Sequence, residues 1–165
     1  MPLDQTLEER WMALAIKEAQ AALEEGEAPV GAVIVDLESG LVLARAHHQT
    51  KALRDPTAHA VMIALSQLTA EREDDLPPEA HVGVALPNLN LAVIATQEPC
   101  VMCAGAILLH EPVGRIVFGA RKPVLGACGT ALDLLRLAPR TRSLTLQAGV
   151  RERECAELLK RWAGS

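Results

Sequence analysis

The sequence predicts an α/β fold, a mixed and largely parallel sheet with helices on both faces. Two observations carry this. Short apolar runs of strand character, such as APVGAVIVD (28–36), LAVIAT (91–96) and RIVFGA (115–120), alternate along the chain with segments of helical periodicity. The chain has 165 residues, half of them hydrophobic. That is one domain's worth, residues 1–165, long enough to bury about two-thirds of the surface an unfolded chain exposes. With two Trp, one Phe and no Tyr, the core must be filled by Leu, Val, Ile and Ala. The same scarcity argues against a surface of stacked aromatics for single-stranded nucleic acid.

The elements follow in order. Thr6 with Glu9 forms a capping-box pattern, opening a helix to about Glu25 that Gly26 ends. Residues 28–36 read as a buried strand, ESG (38–40) as a tight turn and LVLARA (41–46) as the hairpin partner. HHQTKALRD (47–55) is an irregular loop, and Asp55-Pro56-Thr57 starts a helix reaching about Leu68. TAEREDDLPPEA (69–80) is a charged linker, followed by strands over 81–85 and 91–96. EPCVMCAGAILLH (98–110) is a strand-to-helix junction and short helix, and 115–120 is the next strand. A helix over 131–138, a strand over 143–149 and a terminal helix over 151–163 complete the chain.

No run of eighteen apolar residues occurs, so no membrane-spanning helix is expected. The acidic start MPLDQTLEER does not read as a signal peptide, and a cytoplasmic location is expected. In a reducing compartment the four cysteines are metal ligands or buried thiols rather than disulfides. Charge is uneven: residues 1–110 hold 6 Lys/Arg against 16 Asp/Glu, a net −10, and residues 111–165 hold 10 against 5, a net +5. A basic last third suits a polyanion, although ordinary solvated surface looks the same.

His59, Cys100 and Cys103 are the chemical signal. Zinc favours His nitrogen and Cys thiolate in a tetrahedral shell, and a catalytic site leaves the fourth position to water. Cys100 and Cys103 form a C-x-x-C pair at a helix start, where the helix dipole favours thiolate. His59 also stands at a helix start and becomes the third ligand if the two starts face each other. A redox pair or structural thiols would show the same C-x-x-C spacing.

The combination PTAHA then EPCVMCAGA resembles the signature of the zinc-dependent cytidine deaminase-like superfamily, H-x-E then P-C-x-x-C. Within it the chain is most similar to the tRNA adenosine deaminases that convert wobble adenosine to inosine. EAPVGAVIV, DPTAHA, EPCVMCAGA, GRIVFGAR, GACGT and ECAELL stand in the expected order over roughly residues 8–160. The resemblance implies a three-layer α/β/α sandwich with a five-stranded mixed sheet, zinc (Zn2+) on His59, Cys100 and Cys103, and a homodimer or heterodimer. It also implies a base pocket lined by Ala28, Pro29, Val30 and the 47–55 loop, with His48 where active relatives carry a nucleoside-contacting Asn.

The match breaks at one position. The family's proton-shuttling Glu stands two residues after the zinc His, where this chain has Val61. Glu98, His47 or His48 would be the candidates to replace it, Glu98 being the less expected because the family keeps a Glu there alongside its catalytic one, which suits local hydrogen bonding. After GAR, where active relatives continue Asp-Ala-Lys-Thr-Gly with RNA contacts, this chain reads Lys122-Pro123-Val124-Leu125-Gly126. The His59–Cys100 gap is also longer than in the compact bacterial enzymes. His59-Ala60-Val61-Met62 and such an insertion are also found in the catalytically silent subunit of the eukaryotic heterodimeric tRNA adenosine deaminase. The expectations are therefore a silent partner subunit or RNA-binding scaffold, dimerising with itself or with an active paralogue. An altered deaminase and a protein with purely structural zinc remain beside it.

Overall fold

The computed structural model describes residues 5–70, 89–110, 112–137 and 143–164. Its elements run α1 (Gln5–Glu24), β1 (Gly31–Asp36), β2 (Val42–His47), α2 (Ala60–Ala70), β3 (Leu91–Gln97), α3 (Val101–Leu109), β4 (Val113–Ala120), a 3₁₀ turn (Leu134–Arg136), β5 (Thr145–Ala148) and α4 (Glu152–Ala163). The sheet order is β2-β1-β3-β4-β5. β1 is antiparallel to both β2 and β3, while β3–β4 and β4–β5 are parallel. The sheet is thus evenly mixed rather than largely parallel: the tight 37–40 turn forces β2 to return antiparallel, and β1 then meets β3 head to tail.

Strand alternation sorts the core into two layers. Ala32, Ile34, Leu91, Val93, Ala95, Ile116 and Phe118 face Ala60, Ala64 and Leu68 of α2 and Cys103, Ala104 and Ile107 of α3. Val33, Val35, Ala92, Ile94 and Val117 face Trp11, Met12, Ala15, Ile16 and Ala19 of α1 and Cys155 and Leu158 of α4. Both faces are covered, which is why β1 is buried along its whole length and reads as a continuous apolar run. This is the expected sandwich of helices about a five-stranded mixed sheet.

Four sequence expectations shift. Thr6 lies inside α1, so it is a first-turn residue and not a cap. The segment from Asp55 is a turn before it is a helix. The Asp55 carboxylate accepts the Thr57 amide at 2.8 Å and its hydroxyl at 2.7 Å, and α2 begins only at Ala60. The helix expected over 131–138 reduces to the 3₁₀ turn, because the amides of Ala131 and Leu132 bond to Gly126 oxygen and that of Leu134 to Ala127 oxygen. Leu132 and Leu137 are exposed, and only Leu134 and Leu135 pack against the core. The last strand narrows to Thr145–Ala148. The strand expected over 81–85 and most of the 69–80 linker lie outside the described residues.

α1 is seated on the sheet by a close approach and by charge. A Cβ on Gly31 would collide with the Ala15 carbonyl oxygen and come within 2.6 Å of the Ala19 amide nitrogen. Opposite Gly31 on β2, His47 binds Glu18 at 3.1 Å and Glu25 at 2.9 Å, both on the α1 side. Glu8, buried in α1, accepts from Arg115 Nε of β4 at 2.6 Å.

Gly31→Ala should cost about 3 kcal/mol, the upper end of overpacking penalties because the obstacles are backbone atoms. Urea unfolding measures it, and an unchanged midpoint would contradict the close approach. His47 gives a pH signature. Burial works to lower its pKa, but bonds and charge from Glu18 and Glu25 outweigh this and hold it above the ordinary 6.5. That stabilisation is full below pH 6.5 and is lost as pH rises through the higher folded-state value. His47→Gln should therefore be less stable than wild type near pH 6, with the gap closing by about pH 9.

Candidate metal centre

The two helix starts that the sequence marks do face each other. His59 is the residue before α2, its carbonyl accepting the Ile63 amide, and Cys100 stands likewise before α3, its carbonyl accepting from Ala104. Cys100 is extended (φ −74°, ψ 177°) and its sulfur caps no helix amide, which leaves it free as a ligand. Cys103 is one turn on and buried.

The donor atoms of His59, Cys100 and Cys103 lie within 4.8 Å of one another. His59 Nδ1 is 3.6 Å from Cys100 Sγ and 3.7 Å from Cys103 Sγ. A tetrahedral zinc with sulfur at about 2.3 Å and nitrogen at about 2.05 Å sets that separation at about 3.6 Å, so the cage already has the size of the ion. The Cys100 thiol is pushed down to about 3, first by the hydrogen bond from Cys103 and, against burial, by His59. The same hydrogen bond, with burial, pushes Cys103 up. The opposite shifts mean that the pair gives up its first proton readily and its second reluctantly, and binding a divalent ion would displace both. Burial foremost pushes Cys128 and Cys155 up to about 12 each, and among the described residues neither joins the group of donor atoms close enough to share a metal.

A pocket of about 80 Å³ opens beside the cage, and Ala28, Val30, His48, Val61, Gln97 and Lys122 are among its walls. Of the sequence-predicted set, Ala28, Val30 and His48 line it together with the three ligands, while Pro29 is buried and is not part of the lining. His48 lies beside His59, ring centroids 5.0 Å apart and tilted by 37°, and its Nε2 meets Thr50 Oγ1 at 3.0 Å. Burial, then the charges of His59 and Lys122, hold its pKa below 6.5. His47, its sequence neighbour, ends β2 and turns to α1 instead.

Val61 is 3 % exposed and belongs at once to the pocket wall and to the core beneath α2. Glu98 also lines the pocket, but its carboxylate is occupied. Oε2 accepts the Lys122 amide at 3.0 Å, and Oε1 those of Cys128 and Thr130 at 3.0 and 3.1 Å. Burial raises its pKa, yet these bonds outweigh burial and hold it below the usual carboxylate range.

Sequence reasoning passed over Gln97 and Glu27. Gln97 ends β3 at the pocket, and the C-terminal end of a central parallel strand is the signal that marks it. Glu27, 1 % exposed, accepts the amides of Lys51 and Ala52 at 2.9 and 2.7 Å and so positions the loop carrying His48.

Known proteins agree with this geometry. Residues 5–120 match the family described as "Cytidine and deoxycytidylate deaminase zinc-binding region". The chain is 37 % identical over 155 residues to the tRNA-specific adenosine deaminase of Bacillus subtilis, covering 93 % of this chain and 87 % of that protein. It is 42 % identical over 153 residues to the tRNA(Ile)-lysidine synthase of Thermus thermophilus, 93 % of this chain but only 24 % of that protein's length. A solved structure from a study of A-to-I editing by tRNA deaminases at the wobble position superposes with a TM-score of 0.74. It shares 32 % identity over 91 % of this chain and 99 % of that one.

Zinc-loaded protein should contain about one zinc per chain. Cys100→Ser or His59→Ala should reduce this to near zero and lower the thermal midpoint, because zinc binding is coupled to folding. Full zinc retention in either variant, by mass spectrometry of the native protein, would contradict the assignment.

Proposed function

This chain belongs to the cytidine and deoxycytidylate deaminase zinc-binding family, and from that premise we propose that it is a catalytically silent or strongly impaired member working in tRNA adenosine deamination. Its role is that of a partner subunit or nucleoside- and RNA-binding scaffold, dimerising with itself or with an active paralogue in the cytoplasm. One observation carries this: Val61, a side chain without a proton to give or take, walls the pocket at the cage where the family places its acid.

His59, Cys100 and Cys103 would hold the zinc, which when bound supplies activated water. The chain's own residues then have to move protons to the base and the leaving group. General acid–base catalysis contributes about 10²- to 10⁴-fold, and Val61 contributes none of it. Glu98 is committed to backbone amides on both oxygens. Support for a tRNA setting comes from the relatives, since the proteins of Bacillus subtilis and Thermus thermophilus are both named for tRNA. The basic last third of the sequence is consistent with it. No helix among the described residues is long and apolar enough to cross a membrane.

A second reading is an active hydrolytic deaminase of a nucleoside, nucleobase or tRNA adenosine. The position of His48 favours it, a pocket-lining imidazole beside His59 that could relay protons in place of the Glu.

The test is an inosine assay on an anticodon stem-loop and on free nucleosides, with zinc quantified in each sample. Wild type should show no turnover, and Val61→Glu should gain rate by about 10²-fold or more if the rest of the site is competent. Robust wild-type turnover sinks the silent reading, and its loss in His48→Ala would establish the second one.

A further inference from the structure

The C-x-x-C spacing of Cys100 and Cys103 suits a dithiol as well as a metal, and the structure keeps both uses open in one turn of helix. The Cys100 carbonyl accepts the Ala104 amide at 2.8 Å, so the first turn of α3 is closed. One helical turn sets the two Cα atoms about 5 Å apart, inside the range of about 4.4–6.8 Å that a disulfide spans. The two sulfurs, with the His59 nitrogen, already lie within 4.8 Å of one another. The sulfur of Cys100 caps no helix amide, so it can turn toward Cys103 without breaking a bond of α3.

Access separates this pair from the other two cysteines. All four are free and buried. Cys100 and Cys103 nevertheless belong to the wall of the pocket of about 80 Å³, and Cys128 and Cys155 do not. One water takes a share of about 30 Å³ in the liquid, so hydrogen peroxide, two oxygens long, fits that space. The wall is also free of a repelling acid. Position 61 is a valine, and the carboxylate of Glu98 is already bonded to three amides.

We infer that Cys100 and Cys103 form a peroxide-reactive dithiol, a modification site whose disulfide and whose metal exclude each other because both need the same two sulfurs. The Cys100 sulfur attacks one oxygen of hydrogen peroxide. The O–O bond breaks, and the departing hydroxide takes the thiol proton and leaves as water. Cys100 is then a sulfenic acid. The Cys103 sulfur attacks it, the S–S bond forms as the S–O bond breaks, and the hydroxyl leaves with the Cys103 proton as a second water. The sulfur pair loses two electrons and the peroxide oxygens gain them. Reduction by a small thiol restores both thiols, and with them the cage. None of this depends on whether the pocket turns over a base.

Peroxide titration of the full-length chain tests it, with zinc content and free thiols read on the same samples. Reduced protein is loaded with zinc, and a portion is then stripped with a chelator. In the stripped protein an equimolar amount of peroxide should remove two of the four thiols, and peptide mapping should place the new bond between Cys100 and Cys103. The oxidised protein should take up no zinc until dithiothreitol restores the pair. With free zinc held at about ten times its Kd, thiol loss should slow about tenfold, as mass action requires. Cys103→Ser should stop at the sulfenic acid, which dimedone traps on Cys100, and Cys100→Ser should leave Cys103 unmodified.

Cys128 and Cys155 report whether the stripped chain and the variants are folded, because both should stay reduced while the pair reacts. Oxidation of all four cysteines to mixed disulfides means that an unfolded chain is reacting, and overturns the inference. Survival of all four thiols overturns it too, as does unchanged zinc uptake after oxidation. Reduced protein that binds no zinc overturns the cage and the exclusion together.

Discussion

The site depends on one buried carboxylate. Glu98 is 2 % exposed, and an ionised carboxyl at that depth is tolerable only if its oxygens are bonded. The bonds come from the amides of Lys122, Cys128 and Thr130, so the cost of burying Glu98 is also what fixes the 121–130 loop. The loop in turn fixes the metal side. The Leu125 carbonyl accepts the Val101 amide and the Ala127 amide donates to Pro99, which pins the first turn of α3 and Cys100 with it. Gly126 shows how tight the arrangement is. A Cβ there would collide with the Lys122 carbonyl and lie 2.8 Å from Glu98 Oε2. Leu125 takes a left-handed backbone (φ 63°), a strain that the surrounding bonds hold in place.

Glu27 does the same work on the opposite wall. Its Oε1 gathers the amides of Lys51 and Ala52, and Lys51 Nζ donates to the Gly26 carbonyl while lying 4.6 Å from the Trp162 ring. The loop carrying His48 is thereby tied to the end of α1 and to α4. The pocket lies between two loops that are each held through backbone amides by a buried acid. Side chains on those loops can then change identity without loosening the frame. His48 and Lys122 are thus carried into the pocket on frames that do not depend on their own side chains, while the cage keeps zinc dimensions.

These two acids are also where the sequence is least legible. Strands and most helices follow from periodicity that survives into the fold: β1 and β3 read as unbroken apolar runs because helices cover both sheet faces. The metal ligands are legible because zinc demands a few residue types at helix starts, a demand that leaves a spacing. A carboxylate satisfied by backbone amides leaves none, since the bonds of Glu98 reach 24 to 32 residues along the chain to groups every residue possesses. The leucines at 134, 135 and 137 misled for a related reason. Their spacing suits a helix, but the amides just before them are already bonded to Gly126 and Ala127. Local pattern yields there to a loop whose shape is set elsewhere.

Val61 can be understood in the same terms. Its side chain packs in the layer with Ala60, Ala64 and the β-strand residues above them, where burying a valine is worth about 1.5–3 kcal/mol. A glutamate in that place would have to lose its hydration among apolar neighbours on the core side. A partner for it could come only from the pocket side, from the metal cage or from Lys122 and Gln97 in the same wall. An acid here is therefore a functional residue held against the preference of the fold, and a valine is what the fold alone selects. The cage makes no such conflict. His59 and Cys100 start α2 and α3 whether or not a proton is moved, and a metal joining those two starts stabilises the layer in either case. Metal binding and proton transfer are separable demands on the same few residues, and the cage of His59, Cys100 and Cys103 answers the first without any help from position 61.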